Sequence, residues 1–310
     1  MRNICYVFPG QGGQSVGMGK DLYDNDTRAR EIFDIVDDAL GEKLSTLMFE
    51  GPLEELSRSE NIQPAIFAVS MASLVSDKAR NTIPIGTGPS FVAGHSLGEY
   101  AALSCVGTIR HRDMARLLRK RGSLMQKAAE SSGGRGAMAA IIGSVDVQAI
   151  SAEAAAETKA VCEVANDNGA NQWVISGAAA AVEKAMEIAK SRGAKLVRQL
   201  ALSVPTHSSL MAGATDEFRA ALAEVKWEMK PEEPGRAAFV SNKTAEIMTD
   251  MAEIKEALVY QLTHGVRWRE SILNLAKLGA DEFIEIGPGG VLTGLIQRIA
   301  PEAKSYKLEV

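Results

Sequence analysis

The feature that most restricts the fold is a tight turn, GHSLG at residues 94–98, placed between a strand and a helix. Residues 90–93 (SFVA) form a short apolar run typical of a buried strand, and helical spacing begins near Leu97. Glycine on both sides of Ser96 permits a sharp turn that lifts the serine hydroxyl above the end of a sheet. This context predicts that Ser96 is a nucleophile.

A second interpretation of the same residues is a helix cap. Ser96 and Glu99 form the pattern S-x-x-E, in which the serine would only satisfy an amide at the start of the helix. A cap alone does not require glycine on both sides after a buried strand. The pattern therefore favours the nucleophile over the cap.

The rest of the chain shows two patterns of secondary structure, one interrupted by the other. Residues 4–8 and 90–93 are predicted strands of an α/β fold, with helices between them at 28–40, 53–57 and 64–76. After a glycine-rich break at 131–136 (SSGGRG) the pattern becomes βαββαβ, the order of a ferredoxin-like unit. Its predicted elements are the strands 137–142, 161–164, 172–176 and 196–200, and the helices 147–156 and 182–191.

The α/β pattern resumes after Pro205, with strands predicted at 237–240 and 282–286 and a closing helix. We therefore predict a large α/β domain built from residues 1–130 and 203–310. A small domain at residues 131–202 would be inserted into it.

Composition narrows the classes of protein. The 310 residues carry a formal net charge of −5 with 5% aromatic residues, which does not fit a general nucleic-acid binder. The three cysteines have no C-x-x-C spacing, so neither a disulfide framework nor a zinc site is predicted. The apolar run at residues 4–8 is too short for a signal peptide, and no membrane span is visible. We expect a soluble cytoplasmic protein without a membrane or nucleic-acid partner.

A serine nucleophile needs a base, and the chain has four histidines. His95 adjoins Ser96 and should point away from it, and His111 lies in a polar, arginine-rich stretch. His207 lies where the chain leaves the predicted small domain, a frequent position for the wall of a cleft. His264, in a loop after a predicted helix, is the alternative. Spacing alone leaves His207 open between a catalytic and a merely structural histidine.

Positive charge is concentrated at residues 110–127, which hold seven of the 34 lysines and arginines. Most of these residues fit a solvated helix face. Arg121 instead lies on the apolar face of the predicted helix, with Leu117, Leu118, Leu124 and Met125. A buried guanidinium requires an anionic partner, so Arg121 is predicted to point inward toward an anion.

The glycine-rich segment 10–15 (GQGGQS) follows the first strand. It lacks the last glycine of G-x-G-x-x-G and the lysine of a phosphate-binding loop, so no nucleotide cofactor is predicted. Its place at the carboxyl edge of the sheet still offers backbone amides to a ligand.

Taken together, the motifs resemble one family in its own order: the malonyl-CoA:acyl carrier protein transacylases, with the related acyltransferase domains of polyketide synthases. The matching blocks are FPGQGGQ at 8–14, QPA at 63–65, GHSLGEYAAL at 94–103, RG at 121–122 with MQ at 125–126, GAM at 136–138, SVPTH at 203–207 and IGPG at 286–289. The resemblance implies an α/β-hydrolase-like large domain with an inserted ferredoxin-like small domain.

The resemblance also implies roles for residues. Ser96 would be acylated and His207 would be its base, while the backbone carbonyl of Gln261 would orient the histidine. Arg121 would bind the free malonyl carboxylate. The backbone amides of Gln11 and Leu97 would form the oxyanion hole. Four further side chains would line the pocket: Gln63, Met125, Asn166 and Asn168.

The implied activity is transfer of malonyl from malonyl-CoA to the pantetheine thiol of acyl carrier protein through an acyl-serine, supplying fatty acid chain elongation. Malonyl-CoA and acyl carrier protein would be the partners of a monomer. The resemblance implies no cofactor and no metal, because the coenzyme A thioester is itself the substrate. Three alternatives remain at this point: a serine esterase or thioesterase, the acyltransferase of a polyketide pathway, and a non-enzymatic scaffold that binds carrier protein.

Overall fold

The computed structural model describes residues 3–83, 88–131, 135–202, 204–228 and 236–308. The strands are β1 (Ile4–Phe8), β2 (Phe91–Gly94), β3 (Gly136–Ile142), β4 (Cys162–Asp167), β5 (Gln172–Ala178), β6 (Leu196–Gln199), β7 (Ala238–Val240), β8 (Glu282–Glu285) and β9 (Lys304–Lys307). The helices before β3 are α1 (Lys20–Asn25), α2 (Thr27–Leu40), α3 (Leu44–Glu50), α4 (Leu53–Leu56), α5 (Ser59–Val75), α6 (Asp77–Thr82), α7 (Gly98–Cys105) and α8 (His111–Ser131). Those after it are α9 (Val147–Thr158), α10 (Ala179–Ser191), α11 (Thr215–Glu224), α12 (Met251–Thr263), α13 (Trp268–Lys277) and α14 (Val291–Ile299), with a 3-10 helix at Ser209–Ala214.

Within the described residues, five strands form a parallel sheet in the order β7-β2-β1-β8-β9. Its central strand β1 is buried along its whole length, as expected for a parallel sheet covered on both faces. Phe8 at the end of β1 is in register with Gly94 at the end of β2. The turn after β1 and the serine turn after β2 therefore lie side by side at the carboxyl edge of the sheet.

The predicted βαββαβ unit is confirmed. Its strands form an antiparallel sheet, counted over the described residues as four strands in the order β4-β5-β3-β6. Helices α9 and α10 bury a separate core against this sheet, including Ile150, Val182 and Ile175. The α/β class with a larger and a smaller part is thus as the sequence predicts.

The sequence predicts that the smaller domain spans residues 131–202. Residues 132–134 of the glycine-rich break and residue 203 lie outside the described residues. The antiparallel sheet itself runs from Gly136 to Gln199, inside the predicted 131–202 segment.

The start of α5 and the presence of β9 differ from the sequence prediction. Helix α5 begins at Ser59 rather than at residue 64, and Pro64 lies inside it. Proline in a helix interior removes one backbone hydrogen bond, which is why the sequence favoured a later start. Strand β9, with the sequence KSYK, was not predicted because its polar residues show no apolar run; it pairs along β8 at the edge of the sheet.

Helices α5 and α8 bring two predicted site residues together. Helix α5 is buried on nearly every side, so it runs through the interior of the larger part. A Cβ added at Gly122 would lie 2.2 Å from the carbonyl oxygen of Ser59, so α8 packs directly on the start of α5. This contact places Arg121, on α8, beside Gln63, on α5. No helix in the described ranges is long and apolar enough to span a bilayer.

Candidate active site

Ser96 occupies a strained turn. Its φ is 52°, in the left-handed region that side-chain-bearing residues rarely adopt. The flanking glycines are required by close backbone contacts: a Cβ at Gly94 would lie 2.1 Å from the amide nitrogen of Glu99, and one at Gly98 would lie 2.0 Å from the carbonyl oxygen of Phe8. The glycines of the GHSLG motif therefore hold β1, β2 and α7 together at the turn.

The Ser96 hydroxyl faces a histidine. Its Oγ lies 2.7 Å from Nε2 of His207, and Nδ1 of His207 lies 2.7 Å from the carbonyl oxygen of Gln261. A carbonyl oxygen only accepts, so Nδ1 carries the proton and Nε2 is left to accept from the serine. The amide of Glu99 donates to the backbone carbonyl of Ser96 at 3.0 Å and not to its hydroxyl. The capping interpretation is therefore wrong for Ser96.

The other histidines have different partners, so among the four histidines the structure brings His207 to Ser96. His95 Nε2 lies 2.8 Å from Asn168 Oδ1, and His111 Nδ1 lies 2.9 Å from Ser104 Oγ. The ring of His264 stacks on that of Tyr260, with 3.6 Å between the ring centres.

Arg121 points inward, as predicted, and its side chain is buried. One terminal nitrogen donates to Gln63 Oε1 at 2.8 Å and the other to Gln261 Oε1 at 2.9 Å. The guanidinium also lies over the ring of Tyr100, 5.1 Å from its centre. Within the described residues its Nε has no hydrogen-bond partner. The cation is thus held by neutral oxygens and retains a free, buried N–H.

Sequence analysis did not identify Asn242 as a residue of this site, and for Glu99 it suggested only a helix-capping role. Asn242 Oδ1 accepts from the Ser96 amide at 2.8 Å, and its Nδ2 donates to the Gly94 carbonyl at 2.7 Å. The backbone amide of Asn242 donates to Glu99 at 2.6 Å. Asn242 follows β7, the neighbour of β2, and strand order was the signal that could have placed it at this edge.

Gln261 connects the parts of the site. Its Nε2 donates to the Ser96 carbonyl at 3.0 Å and to the carboxyl of Glu99, while its Oε1 accepts from Arg121. Its backbone carbonyl accepts from His207. One residue therefore contacts the serine turn, the histidine and the arginine.

Burial shifts the pKa values of His207 and Glu99. It lowers the pKa of His207 to about 3, and the nearby Arg121 charge acts in the same direction. Burial raises the pKa of Glu99 to about 8, against the opposing effects of its hydrogen bonds to Asn242 and Gln261 and of the Arg121 charge. The histidine is therefore neutral at physiological pH, the form that accepts a proton.

The remaining predicted residues lie on the turn after β1, on α8 and on β4. The turn that carries Gln11 approaches the serine turn closely, because a Cβ at Gly10 would lie 2.6 Å from the His95 carbonyl oxygen. Met125 Sδ lies 3.4 Å from Gln63 Nε2. Asn166 is a buried residue of β4.

A cleft of about 420 Å³ opens beside His207. Its lining combines residues near the 3-10 helix and the end of α12 with residues of β4 from the smaller sheet: Glu163, Val164, Ser209, Thr263, His264 and Gly265. His207 is itself part of this lining, so the cleft reaches the candidate base.

Comparison with known proteins identifies the family of the chain. The sequence model of the acyl transferase domain matches residues 5–308. The chain belongs to the acyl transferase family. The resemblance seen in its motifs is therefore confirmed.

Two relatives illustrate the similarity within the acyl transferase family. The chain is 42% identical over 309 residues to the malonyl CoA-acyl carrier protein transacylase of Bacillus subtilis (strain 168), covering 98% of this chain and 93% of that protein. It is 40% identical over 300 residues to the enzyme of that name from Escherichia coli (strain K12), covering 96% and 93%.

Solved structures of acyl transferases share the fold. The acyl-carrier-protein-S-malonyltransferase of Bartonella henselae matches with a TM-score of 0.91 at 43% identity, covering 99% of this chain and 96% of that one. A malonyl-transacylase in complex with its type II polyketide synthase acyl-carrier protein matches with a TM-score of 0.89 at 36% identity, covering 98% and 95%.

Proposed function

We propose that this acyltransferase moves a malonyl group from malonyl-CoA to the pantetheine thiol of acyl carrier protein, through an acyl-serine on Ser96. The observation that carries the proposal is the buried Arg121, whose free N–H lies in the same hydrogen-bonded network as Ser96 and His207. A buried cation without a direct anionic partner suits a substrate that brings its own carboxylate. The names of the relatives support the same substrate and acceptor.

The first half-reaction uses the serine and histidine pair. His207 Nε2 takes the Ser96 proton as Oγ forms a bond to the thioester carbon, and the C–S bond then breaks. The protonated imidazole returns its proton to coenzyme A, which leaves as a thiol. The Gln261 carbonyl holds the imidazole through Nδ1 in both states.

The second half-reaction runs the same steps in reverse. The pantetheine thiol of acyl carrier protein loses its proton to His207 and its sulfur attacks the acyl-serine. The Oγ–C bond breaks, and Ser96 takes the proton back. The exchange is a ping-pong reaction. It needs no cofactor, because the thioester already carries the activated acyl group.

The surrounding residues would serve binding and charge stabilisation. We assign the Gln11 and Leu97 amides to the oxyanion, since Leu97 is the N-cap of α7, where helix amides are free, and the Gln11 turn adjoins it. Arg121 would bind the malonyl carboxylate bidentately. Pocket-lining roles are proposed for Gln63, Met125, Asn166 and Asn168.

Incubation of the protein with malonyl-CoA tests the proposed function. We expect mass spectrometry to find one malonyl group, carried by the peptide that contains Ser96, and addition of holo acyl carrier protein to remove it as malonyl carrier protein. Free malonate as the main product with carrier present would identify a thioesterase instead. Carrier binding with no acyl-serine would identify a scaffold.

The pH dependence of acylation should reflect the buried histidine. Because the lowered pKa keeps His207 neutral, we expect kcat/KM for acetyl-CoA to stay level from about pH 7 down to about pH 5, without the acid limb near 6.5 of an ordinary imidazole. Acetyl-CoA is chosen because it lacks a carboxylate for Arg121. Circular dichroism at each pH checks that the fold persists, and a limb centred near 6.5 in folded protein contradicts the prediction.

A further inference from the structure

Glu99 is a buried carboxyl behind the serine turn that the proposed chemistry does not use. It lies in the first turn of α7 and is 1% exposed. Its Oε1 accepts from the Asn242 amide at 2.6 Å, and its Oε2 accepts from Nε2 of Gln261. Glu99 therefore connects Asn242, which bonds to the serine turn, with Gln261, which contacts Arg121 and His207.

The side-chain amide of Gln261 has two ends of opposite character. A 180° rotation of such an amide exchanges its oxygen, which accepts, with its nitrogen, which donates. Arg121 can only donate, and an ionised Glu99 can only accept. Arg121 and the ionised form of Glu99 therefore favour one orientation of the amide, with Oε1 on Arg121 at 2.9 Å and Nε2 on Glu99. The Ser96 carbonyl, which also accepts from Nε2 at 3.0 Å, favours the same orientation.

We propose that Glu99 is a positioning residue for the selection of malonyl: by holding the Gln261 amide in this orientation, it holds the Arg121 guanidinium where a substrate carboxylate can bind. The inference rests on the proposed function, because it assigns Arg121 to the malonyl group. Glu99 acts through Gln261 and does not itself contact the acyl group.

Protonation of Glu99 would weaken the hold on this orientation, because Nε2 would lose the carboxylate as an acceptor and keep the Ser96 carbonyl. A protonated carboxyl presents a donor to Gln261, which favours the reversed amide, with its oxygen toward Glu99 and Nε2 facing the guanidinium. The groups that surround Glu99 are the Arg121 charge from α8, the adjacent Tyr100, and the donors Asn242, Gln261 and Ser241. Since burial raises the pKa of Glu99, its ionisation falls within an accessible pH range.

The pH profile of selectivity follows from this. The ratio of kcat/KM for malonyl-CoA to kcat/KM for acetyl-CoA cancels the titration of His207 and of the acceptor thiol, which both substrates share. We expect this ratio to increase as the pH rises from about 6 to about 9 and Glu99 loses its proton.

The substitution Glu99→Gln tests the inference directly. It conserves shape and can still accept from Asn242, but it presents an amide nitrogen to Gln261. In the full-length protein with holo acyl carrier protein, we expect the malonyl-to-acetyl ratio to fall about 10- to 100-fold, because malonyl transfer should lose much more than acetyl transfer. The ratio of the variant should no longer depend on pH.

The matched control is Glu282→Gln. Glu282 is also buried, and it accepts from the Tyr306 hydroxyl at 2.8 Å at the amino end of β8, the opposite edge of the sheet from Ser96. The Glu282→Gln protein should keep the wild-type malonyl-to-acetyl ratio and the wild-type pH dependence of that ratio. In the Arg121→Ala background, Glu99→Gln should cause no further fall in the ratio, because the group it positions is absent.

Three results would overturn the inference. They are an equal loss of malonyl and acetyl transfer in folded Glu99→Gln, a further fall in the ratio in the Arg121→Ala background, and a wild-type ratio that stays constant across the pH range. The last needs no variant and applies even if Glu99→Gln does not fold. Failure of the wild-type protein to form malonyl-Ser96 is a separate result, which rejects the proposed function itself.

Discussion

Replacement of Ser96 by alanine is expected to reduce malonyl transfer by about 10⁶-fold, the scale seen when a catalytic serine is removed from a hydrolytic triad. The covalent intermediate requires Oγ, and His207 has no other hydroxyl to activate in the contacts described above. Alanine keeps the Cβ and the left-handed backbone of the turn, so the fold should persist. The measurement is the rate of malonyl transfer to holo acyl carrier protein, with mass spectrometry of the protein after exposure to malonyl-CoA.

Ser104→Ala is the matched control. Ser104 is a buried serine of the same helix region whose Oγ contacts His111 rather than His207. It should retain malonyl transfer and acquire the malonyl mark on Ser96. Undiminished acylation of the Ser96→Ala protein would show that another residue is the nucleophile and would remove the basis of the proposed mechanism.

The fold was predictable where local physics and tertiary contacts agree. The turn at residues 94–98 needs glycine because the backbones of β1, β2 and α7 nearly touch there, and that need is visible in the sequence. The beginning of α5 was predicted too late, because burial on nearly every side supports the helix despite Pro64. Strand β9 was missed because its order comes from pairing along β8, a partner that no local pattern reveals.

The site was predictable in part for the same reason. Ser96 and Arg121 stand out through their immediate neighbours, the flanking glycines and the apolar phase of a helix. His207 was distinguished from the other histidines only through the family resemblance, because its partners Ser96 and Gln261 are 111 and 54 residues away in the chain. Asn242 bonds to Ser96 across 146 residues, and no spacing rule reaches so far.

The second large effect is expected at Arg121. Arg121→Ala should reduce kcat/KM for malonyl-CoA by about 2–4 kcal/mol of transition-state stabilisation, or roughly 30- to 1,000-fold, because the malonyl carboxylate would be buried without its partner. Acetyl-CoA has no carboxylate, so its transfer should change much less, and the preference for malonyl should collapse. The measurement is kcat/KM for both thioesters with one carrier protein.

Two further variants separate charge from geometry at this position. Arg121→Lys keeps a positive charge but loses the planar fork, so it should recover only part of the malonyl preference, because an ammonium cannot donate in parallel to a carboxylate while also reaching Gln63 and Gln261. Arg116→Ala removes an exposed arginine of the same helix, one that donates to the Ala39 carbonyl, and should leave the preference unchanged. Equal losses for malonyl and acetyl in a folded Arg121→Ala protein would make Arg121 a structural cation, and substrate selection would then have to come from the shape of the pocket.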